Sequence, residues 1–281
     1  MIRLSNLFLF IIVFTGILKS QNIFDETHTA KFADYLFDAQ KYSLAIDEYY
    51  KLIFLNPDTF YYKEKLLQSY RLVGNPQKEY ELFNKFFLNT GVNTLPPEIL
   101  KEKIKMYVAL NLSDDLINDG KKGLFGNSTL NSIAILSGYL LANHPDSASR
   151  FYSSLPNSVA NNYTVKAFVP IIEEARHIKL KKPWLAAILS TILPGTGKVY
   201  SGFVWDGVVS LIFTSGSGFV AYRGFALKGL SSIIGWVFAG FTAFYYLGNI
   251  YGSVKAAKRY NELKKHKIYH RVENIVVNNK L

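Results

Sequence analysis

The chain has 281 residues, of which 49% are apolar, and its 32 Lys and Arg against 21 Asp and Glu leave a net charge of +11. It contains no Cys, which excludes disulfides, thiolate metal ligands, a cysteine nucleophile and a lipid-modified cysteine. The length suits one large domain or two small ones. Because the long stretch that is poor in charge runs from Trp184 to Val254, we expect a soluble part followed by a membrane part.

The first twenty residues have the pattern of a signal peptide. Arg3 precedes an apolar core from Leu7 to Leu18, and the small residue Ser20 follows. A core of about a dozen apolar residues suits export and is shorter than the roughly 20 residues that cross a bilayer. Lys19 is a poor cleavage context, so an uncleaved signal anchor stays open as the alternative. Either form would carry the following domain out of the cytoplasm, which in a bacterium means into the periplasm.

Residues 21–180 have the apolar spacing of helices, interrupted by helix-breaking Pro and Gly clusters. A shift of 34 residues lays LFDAQKYSLAIDEYYKLIFLNPD over YRLVGNPQKEYELFNKFFLNTGV, and KYSLAIDEYYKLIFLNPD resembles the second helix of a tetratricopeptide repeat. Ala45 stands at the small-residue position of that helix, whereas Glu79 stands there in the second copy, and no third copy is recognisable after Leu95. We expect an all-α, degenerate tetratricopeptide-like domain, and the resemblance implies a surface that binds other proteins.

Residues 181–254 predict a membrane domain. The helix predicted at 184–193 would rise only about 15 Å, so we expect it to be interfacial or re-entrant. Residues 205–222 and 231–252 are each about long enough to cross a bilayer, and the loop RGFALKG joins them into a hairpin. Small residues in both crossings are expected to let the two helices approach closely. They are Gly207, Ser215, Gly216, Gly218, Gly235, Gly240 and Gly248.

Much of the positive charge flanks this apolar domain, on residues 176–182 and in a basic tail at 255–281. Such flanks anchor membrane proteins at anionic headgroups, and no nucleic-acid-binding motif accompanies them, so we expect a lipid bilayer and no nucleic acid as partner. Two crossings, the preferred prediction, place both flanks in the periplasm, against the usual preference for Lys and Arg inside. A third crossing at 184–202 would move the tail to the cytoplasm, but that span would contain Pro194 and Lys198.

The stretch STILPGTGKVYSGFVWDG, residues 190–207, contains a Gly-X-Gly-Lys sequence. A phosphate-binding loop needs Gly-X-X-X-X-Gly-Lys followed by Ser or Thr; here the first Gly is missing and Val199 follows Lys198, so no nucleotide or other cofactor is expected. Asp206 is expected to cap the start of the crossing or to pair with Lys198, with a proton relay as the weaker alternative. His266 and His270 share a helix face without further ligands nearby in sequence, so no metal site is expected.

The run KKPWLAAILSTILPGTGKVYSGFVWDG, followed by YYLGNIYGSVKAAKRYN, resembles a family of uncharacterised bacterial membrane proteins over residues 181–261. Members show Leu-Pro-Gly-X-Gly-Gln-X-Tyr-X-Gly and then Asp-Gly at the start of a membrane helix, often after tetratricopeptide-like helices. Some relatives are associated with the membrane-protein insertion efficiency factor, whose Cys-containing motif this chain lacks, so that activity is not carried over. This chain has Lys198 where the family usually has Gln. The membrane-turn motif that the resemblance implies consists of Pro194, Gly195, Gly197, Lys198, Tyr200, Gly202, Asp206 and Gly207.

The expected function is that of a non-enzymatic scaffold in the bacterial inner membrane. Its exported helical domain would bind other polypeptides, in envelope or membrane-protein assembly. A subunit of a transporter or channel, formed by oligomerised hairpins, is the first alternative, and homo-oligomerisation stays open. An enzyme with a site in the repeat domain is the second alternative, and no constellation of residues supports it.

Overall fold

The computed structural model describes residues 25–87, 90–91 and 94–278, and these residues are helical with no strand. The all-α prediction is therefore confirmed. The predicted signal peptide, residues 1–20, lies outside the described residues. The chain forms two compact units, unit 1 ending at Leu110 and unit 2 beginning at Asn111. This division differs from the sequence-based boundary at 180/181, because residues 111–177 group with the C-terminal helices.

Unit 1 contains five described helices arranged as successive hairpins. Helices α1 and α3 begin at residues 26 and 60, and α2 and α4 begin at 42 and 76, so both pairs are offset by the 34 residues found in the sequence. Helix α5 begins at residue 97, which is 37 residues after α3, and this longer spacing is why the 34-residue overlay finds no third copy. The bounds are α1 Glu26–Asp38, α2 Tyr42–Leu55, α3 Phe60–Leu72, α4 Pro76–Phe87 and α5 Pro97–Ala109.

Helix α2 lies at the centre of the first hairpins. Ala45, Tyr49 and Leu52 are fully buried on one face of the helix, which packs on both α1 and α3. The Tyr49 hydroxyl donates to Asp34 at 2.8 Å, and the Tyr61 hydroxyl donates to the same carboxylate at 2.9 Å. Burial, together with these hydrogen bonds, raises the pKa of both tyrosines. Tyr49 therefore buries its ring and still satisfies its hydroxyl, whereas Tyr61 is 43% exposed.

Glu79 occupies the small-residue position of α4 and is fully buried. Its carboxyl lies 4.0 Å from the Nε of Arg71, which also bonds Glu102 at 2.8 Å. Burial and the negative charge of Glu102 raise the pKa of Glu79 to about 10, against the opposing effect of Arg71. The second repeat thus replaces the small side chain by a buried carboxyl whose surroundings favour the protonated form.

Unit 2 begins with six helices, α6 to α11, and α7 is the one with most of its side chains buried. Helix α7 packs against α6, α8 and the C-terminal helix α15. After α11 the chain enters the segment that was predicted to meet the membrane. The bounds are α6 Ser113–Lys121, α7 Ser128–Leu141, α8 Pro145–Ser153, α9 Asn157–Ala160, α10 Tyr163–Lys166, α11 Val169–His177, α12 Pro183–Ile192, α13 Thr196–Tyr200, α14 Val204–Lys228 and α15 Ile233–Glu273.

Helices α14 and α15 form a hairpin, and both are long and apolar enough to cross a membrane. With 25 residues α14 is about 38 Å long, and with 41 residues α15 is about 62 Å long. The predicted loop RGFALKG is wrong, because residues 223–228 continue α14 and the turn is the short 3₁₀ segment Gly229–Ser231. Phe225 packs edge-on against Trp236 with ring centroids 5.4 Å apart, so this last part of α14 is paired with α15.

Only some of the small residues bring α14 and α15 together. A Cβ on Gly235 would lie 2.7 Å from the Phe225 ring, and one on Gly218 would touch Thr242 at 3.6 Å. Gly216, Gly240 and Gly248 face open space, so the expectation that they serve the hairpin contact is wrong. A further contact is polar, since the Thr242 hydroxyl donates to that of Ser217 at 3.1 Å. Helix register decides which glycines face the partner helix, and composition alone does not define it.

The basic segment after residue 255 continues α15 instead of leaving it. Within unit 2 α15 packs on α7 and α11. Glu174 on α11 forms ion pairs with Lys267 and Arg271, and its hydrogen bond to Lys267 is the main cause of its lowered pKa. The helical segment 111–177 is therefore attached to the same end of α15 that carries the positive charge.

Candidate functional site

The predicted membrane-turn motif forms a compact corner between α12, α14 and α15. Leu193 precedes Pro194 and is extended, as residues before proline usually are, so α12 ends there. Gly195 then reverses the chain with a φ of 94°, and a Cβ on it would lie 2.1 Å from the carbonyl oxygen of Gly207. Gly202 has a φ of 88° just before α14. The two turns therefore depend on glycine for backbone conformation, and Gly195 also for space.

Gly197 belongs to the predicted membrane-turn motif but does not lie in a turn. It lies inside α13, where a Cβ would come 1.9 Å from the carbonyl oxygen of Ala186 on α12. Its N–H donates to the Ser190 hydroxyl at 3.0 Å, and that hydroxyl lies 2.6 Å from the hydroxyl of Ser253 on α15. Gly197 thus permits close packing of three helices. Because this N–H is used within the fold, it is not available to cradle phosphate.

Tyr200 and Asn261 hold the entry to α12 against α15. The backbone N–H of Lys182 donates to the Tyr200 hydroxyl at 3.1 Å, and the Lys181 ammonium lies 4.6 Å from the centre of the Tyr200 ring. The Asn261 side chain accepts from Lys181 N–H at 2.7 Å and donates to its carbonyl at 2.8 Å. The segments that precede and follow the apolar hairpin therefore meet at one end of it.

Lys198 does not pair with Asp206. Its ammonium donates to the Ser210 hydroxyl at 2.7 Å and lies over Gly252, where a Cβ would come within 3.5 Å of Nζ. Asp206 is exposed in the first turn of α14, whose N-cap is Phe203. The carboxylate thus lies near the positive end of the helix dipole without being the capping residue.

Beside this corner lies a cavity of about 590 Å³, which we call the basic pocket. Four cationic side chains and two carboxylates line it, and none of the four cations pairs with a carboxylate within the described part of the chain. Arg259 lies over the Phe203 ring at 5.3 Å, which fixes one wall. The lining consists of Lys198, Phe203, Asp206, Gly252, Lys255, Ala256, Lys258, Arg259 and Glu262.

A second cavity of about 410 Å³, the hairpin groove, shares Lys198 with the basic pocket. Asn249 is 3% exposed, and neither polar atom of its side chain has a hydrogen-bond partner among the described residues. The Thr214 hydroxyl is likewise buried and unpartnered there. Buried polar atoms are usually paired, so two unpartnered polar side chains in the wall of one groove are unusual. The lining consists of Lys198, Val209, Ser210, Phe213, Thr214, Phe244, Tyr245, Gly248 and Asn249.

Sequence reasoning selected the glycines and Lys198 of this corner but missed its polar contacts. Ser190, Ser253 and Asn249 lie within apolar helices and had no local motif to single them out. The sequence did contain a signal for the basic pocket, because the i, i+4 spacing of Lys255 and Arg259 places both on one face of α15. His266 and His270 stack edge-on at 4.1 Å, and the described residues contain no group of three metal-ligating side chains.

Unit 1 has a separate candidate site, which we call the aromatic groove. This cavity of about 850 Å³ lies between α1 and α2. Phe54 is 86% exposed and Phe32 is 50% exposed, which is unusual for large apolar side chains that lie so close together. The rim is polar and carries both signs of charge. The lining consists of His28, Thr29, Phe32, Glu48, Tyr50, Lys51, Phe54 and Leu55.

Comparisons with protein-family models, with curated proteins and with solved structures find no match to the chain. The resemblances noted in the sequence therefore stay predictions. A function is therefore inferred from the geometry of the basic pocket, the hairpin groove and the aromatic groove.

Proposed function

We propose that this protein is a membrane-anchored, non-enzymatic scaffold whose helical unit 1 binds segments of other polypeptides. The aromatic groove is the observation that carries the proposal. Phe32, Tyr50 and Phe54 offer exposed apolar surface, while Glu48 and Lys51 supply charges at its edge. Recognition of a peptide commonly combines apolar anchors with a polar rim. The 34-residue offset of the helix hairpins agrees with a tetratricopeptide-like binding domain.

The membrane part of the proposal is supported by the surface of the hairpin. Ile212, Phe219, Phe244 and Leu247 are more than half exposed, so α14 and α15 are not the buried core of a soluble unit. Exposed apolar surface of this extent needs an apolar surrounding. Aromatic rings stand near both ends, as interfacial anchors do. They are Trp205 and Tyr251 at one end, and Tyr222 and Trp236 at the other.

Two crossings are supported by the contacts between the flanks. The bonds of Asn261 with Lys181, and the ion pairs of Glu174 with α15, hold the chain before and after the hairpin together at one end. A third crossing would separate these flanks by the thickness of a bilayer. We propose that this end faces the periplasm at the bacterial inner membrane, because the N-terminal segment has the pattern of a signal peptide.

Photo-crosslinking in intact cells tests the binding of polypeptides. A photo-reactive amino acid at Phe54 is expected to yield discrete crosslinked partner proteins, and the same probe at Lys85, exposed on α4 outside the groove, is expected to yield few. Equal crosslinking from both positions, or none from either, would contradict the proposal. The substitution Phe54→Ala in the full chain, with the probe at Phe32, should reduce the crosslinked yield.

Reporter fusions test the topology. A reporter that is active only in the periplasm should work when fused after Leu281, and one that is active only in the cytoplasm should work when inserted at Leu230 in the hairpin turn. The reversed pattern would overturn the periplasmic assignment while keeping two crossings. Reporter activity on the same side for both positions would overturn the two crossings.

A further inference from the structure

We propose that the basic pocket and the hairpin groove together bind one anionic phospholipid, with its phosphate in the pocket and an acyl chain along the groove. The inference rests on the hairpin lying in a bilayer and is independent of peptide binding by unit 1. The two cavities share Lys198 as a lining residue, which places them side by side on the hairpin.

The charge of the basic pocket favours a phosphate diester. Lys198, Lys255, Lys258 and Arg259 face it with no carboxylate partner in the described chain, and the two lining carboxylates leave two positive charges uncompensated. Lys and Arg bind phosphate by charge-assisted hydrogen bonds. The carboxylates of Asp206 and Glu262 can accept hydrogen bonds from hydroxyls of a headgroup, which suits a polyol rather than a bare phosphate.

The hairpin groove continues the pocket with mostly apolar walls. Val209, Phe213 and Phe244 provide surface for an acyl chain. The buried Asn249 amide and Thr214 hydroxyl, both without protein partners, can donate to ester carbonyls between the headgroup and the chain. A soluble phosphate compound would leave these two groups unsatisfied. For this reason we favour a lipid over a free phosphate.

The position of the pocket along the helices agrees with headgroup depth. Lys255 follows the last apolar turn of α15, and Phe203 precedes the first turn of α14. Trp205 and Tyr251, which are 80% and 62% exposed, mark the same level. The cations therefore lie where a bilayer presents its phosphates.

The test uses the full chain in nonionic detergent and native mass spectrometry at fixed ionic strength. The probes are phosphatidylglycerol and phosphatidylethanolamine with identical acyl chains, and glycerol 3-phosphate serves as a soluble competitor. We expect phosphatidylglycerol to bind about tenfold more tightly than phosphatidylethanolamine. Equal affinity for the two lipids would overturn the proposal. Displacement of the lipid by glycerol 3-phosphate at a comparable concentration would assign the site to a soluble phosphate instead.

Two charge-matched double variants on α15 decide whether the basic pocket itself binds phosphatidylglycerol. Lys255→Gln with Arg259→Gln is expected to weaken phosphatidylglycerol binding about 30-fold, since each charge near the phosphate contributes about 1 kcal/mol, or fivefold. Lys264→Gln with Lys265→Gln removes the same charge outside the pocket and should change binding less than about twofold. Equal losses would show general charge attraction and overturn the site. Lys198→Gln keeps a donor to Ser210 and should cost about fivefold, which tests the site even if the double variant fails to fold.

Discussion

Unit 1 and the α14–α15 hairpin distribute polarity in opposite ways. In unit 1 large side chains such as Tyr49, Leu66 and Leu67 are fully buried. In the hairpin the large apolar side chains Ile212 and Phe244 face outward, whereas Ser217 and Asn249 are buried. Unit 1 therefore has the distribution of polarity that water favours, with apolar groups inside. The hairpin has the distribution expected of helices that pack on each other in an apolar surrounding.

The largest effect is expected at the compact corner between α12, α14 and α15, where glycines permit close packing. Gly197→Ala should destabilise unit 2 by about 3 kcal/mol or more, because its Cβ would overlap the backbone oxygen of Ala186. Thermal unfolding of the full chain in detergent measures this. Gly216→Ala, at an open position of α14, is the matched control and should be neutral or stabilising by up to about 1 kcal/mol. A similar loss in both variants would contradict the packing argument.

Exposed apolar residues in the two regions should tolerate charge differently. Ile212→Asp should disfavour membrane insertion by about 3 kcal/mol, whereas Phe54→Asp should leave insertion unchanged, although Phe54 is the more exposed of the two. The measurement is the fraction of protein that resists alkaline extraction from membranes. Equal extraction of the two variants would mean that the hairpin is not the membrane anchor.

The buried polar contacts of the hairpin region should matter individually. Ser190→Ala leaves the Gly197 N–H without its acceptor and should cost about 2 kcal/mol in unfolding free energy. Thr191→Ala removes a hydroxyl that only bonds the preceding turn of its own helix, and it should cost much less. Chemical denaturation of the two variants compares them directly, and equal stability would show that the Ser190 contact is not structural.

In unit 1 the corresponding test concerns Glu79, the buried acid at the small-residue position of the second repeat. Because the pKa of Glu79 is raised to about 10 in the folded state, the protonated form is favoured by folding. The contribution of protonated Glu79 to the free energy of unfolding is fully present below the unfolded pKa of about 4.5. It is lost as pH rises toward 10, with a slope of up to about 1.4 kcal/mol per pH unit. Glu79→Gln should flatten this decline in stability between pH 6 and pH 9. Glu81→Gln, an exposed neighbour, should leave the slope unchanged.

Much of the architecture could be read from the sequence. Periodicity indicated helices, the 34-residue overlay matched the starts of α1 to α4, and charge-poor length indicated the two long helices. The contacts of individual residues could not be read in the same way. The role of Gly197, the partner of Lys198 and the surroundings of Glu79 all involve residues on other helices, and local pattern does not show which side chains meet.

The sequence by itself determined the helical class, the absence of cysteine chemistry and the apolar hairpin, since these depend on composition and on spacing within one helix. The tertiary structure alone decided that the glycine turn is a packing corner, that the two basic flanks meet at one end, and that Lys198 lies between a basic pocket and a groove. The physical reason is that helix formation is governed by neighbours in sequence. A binding site is governed by neighbours in space, and these come from α12, α14 and α15, up to about 80 residues apart.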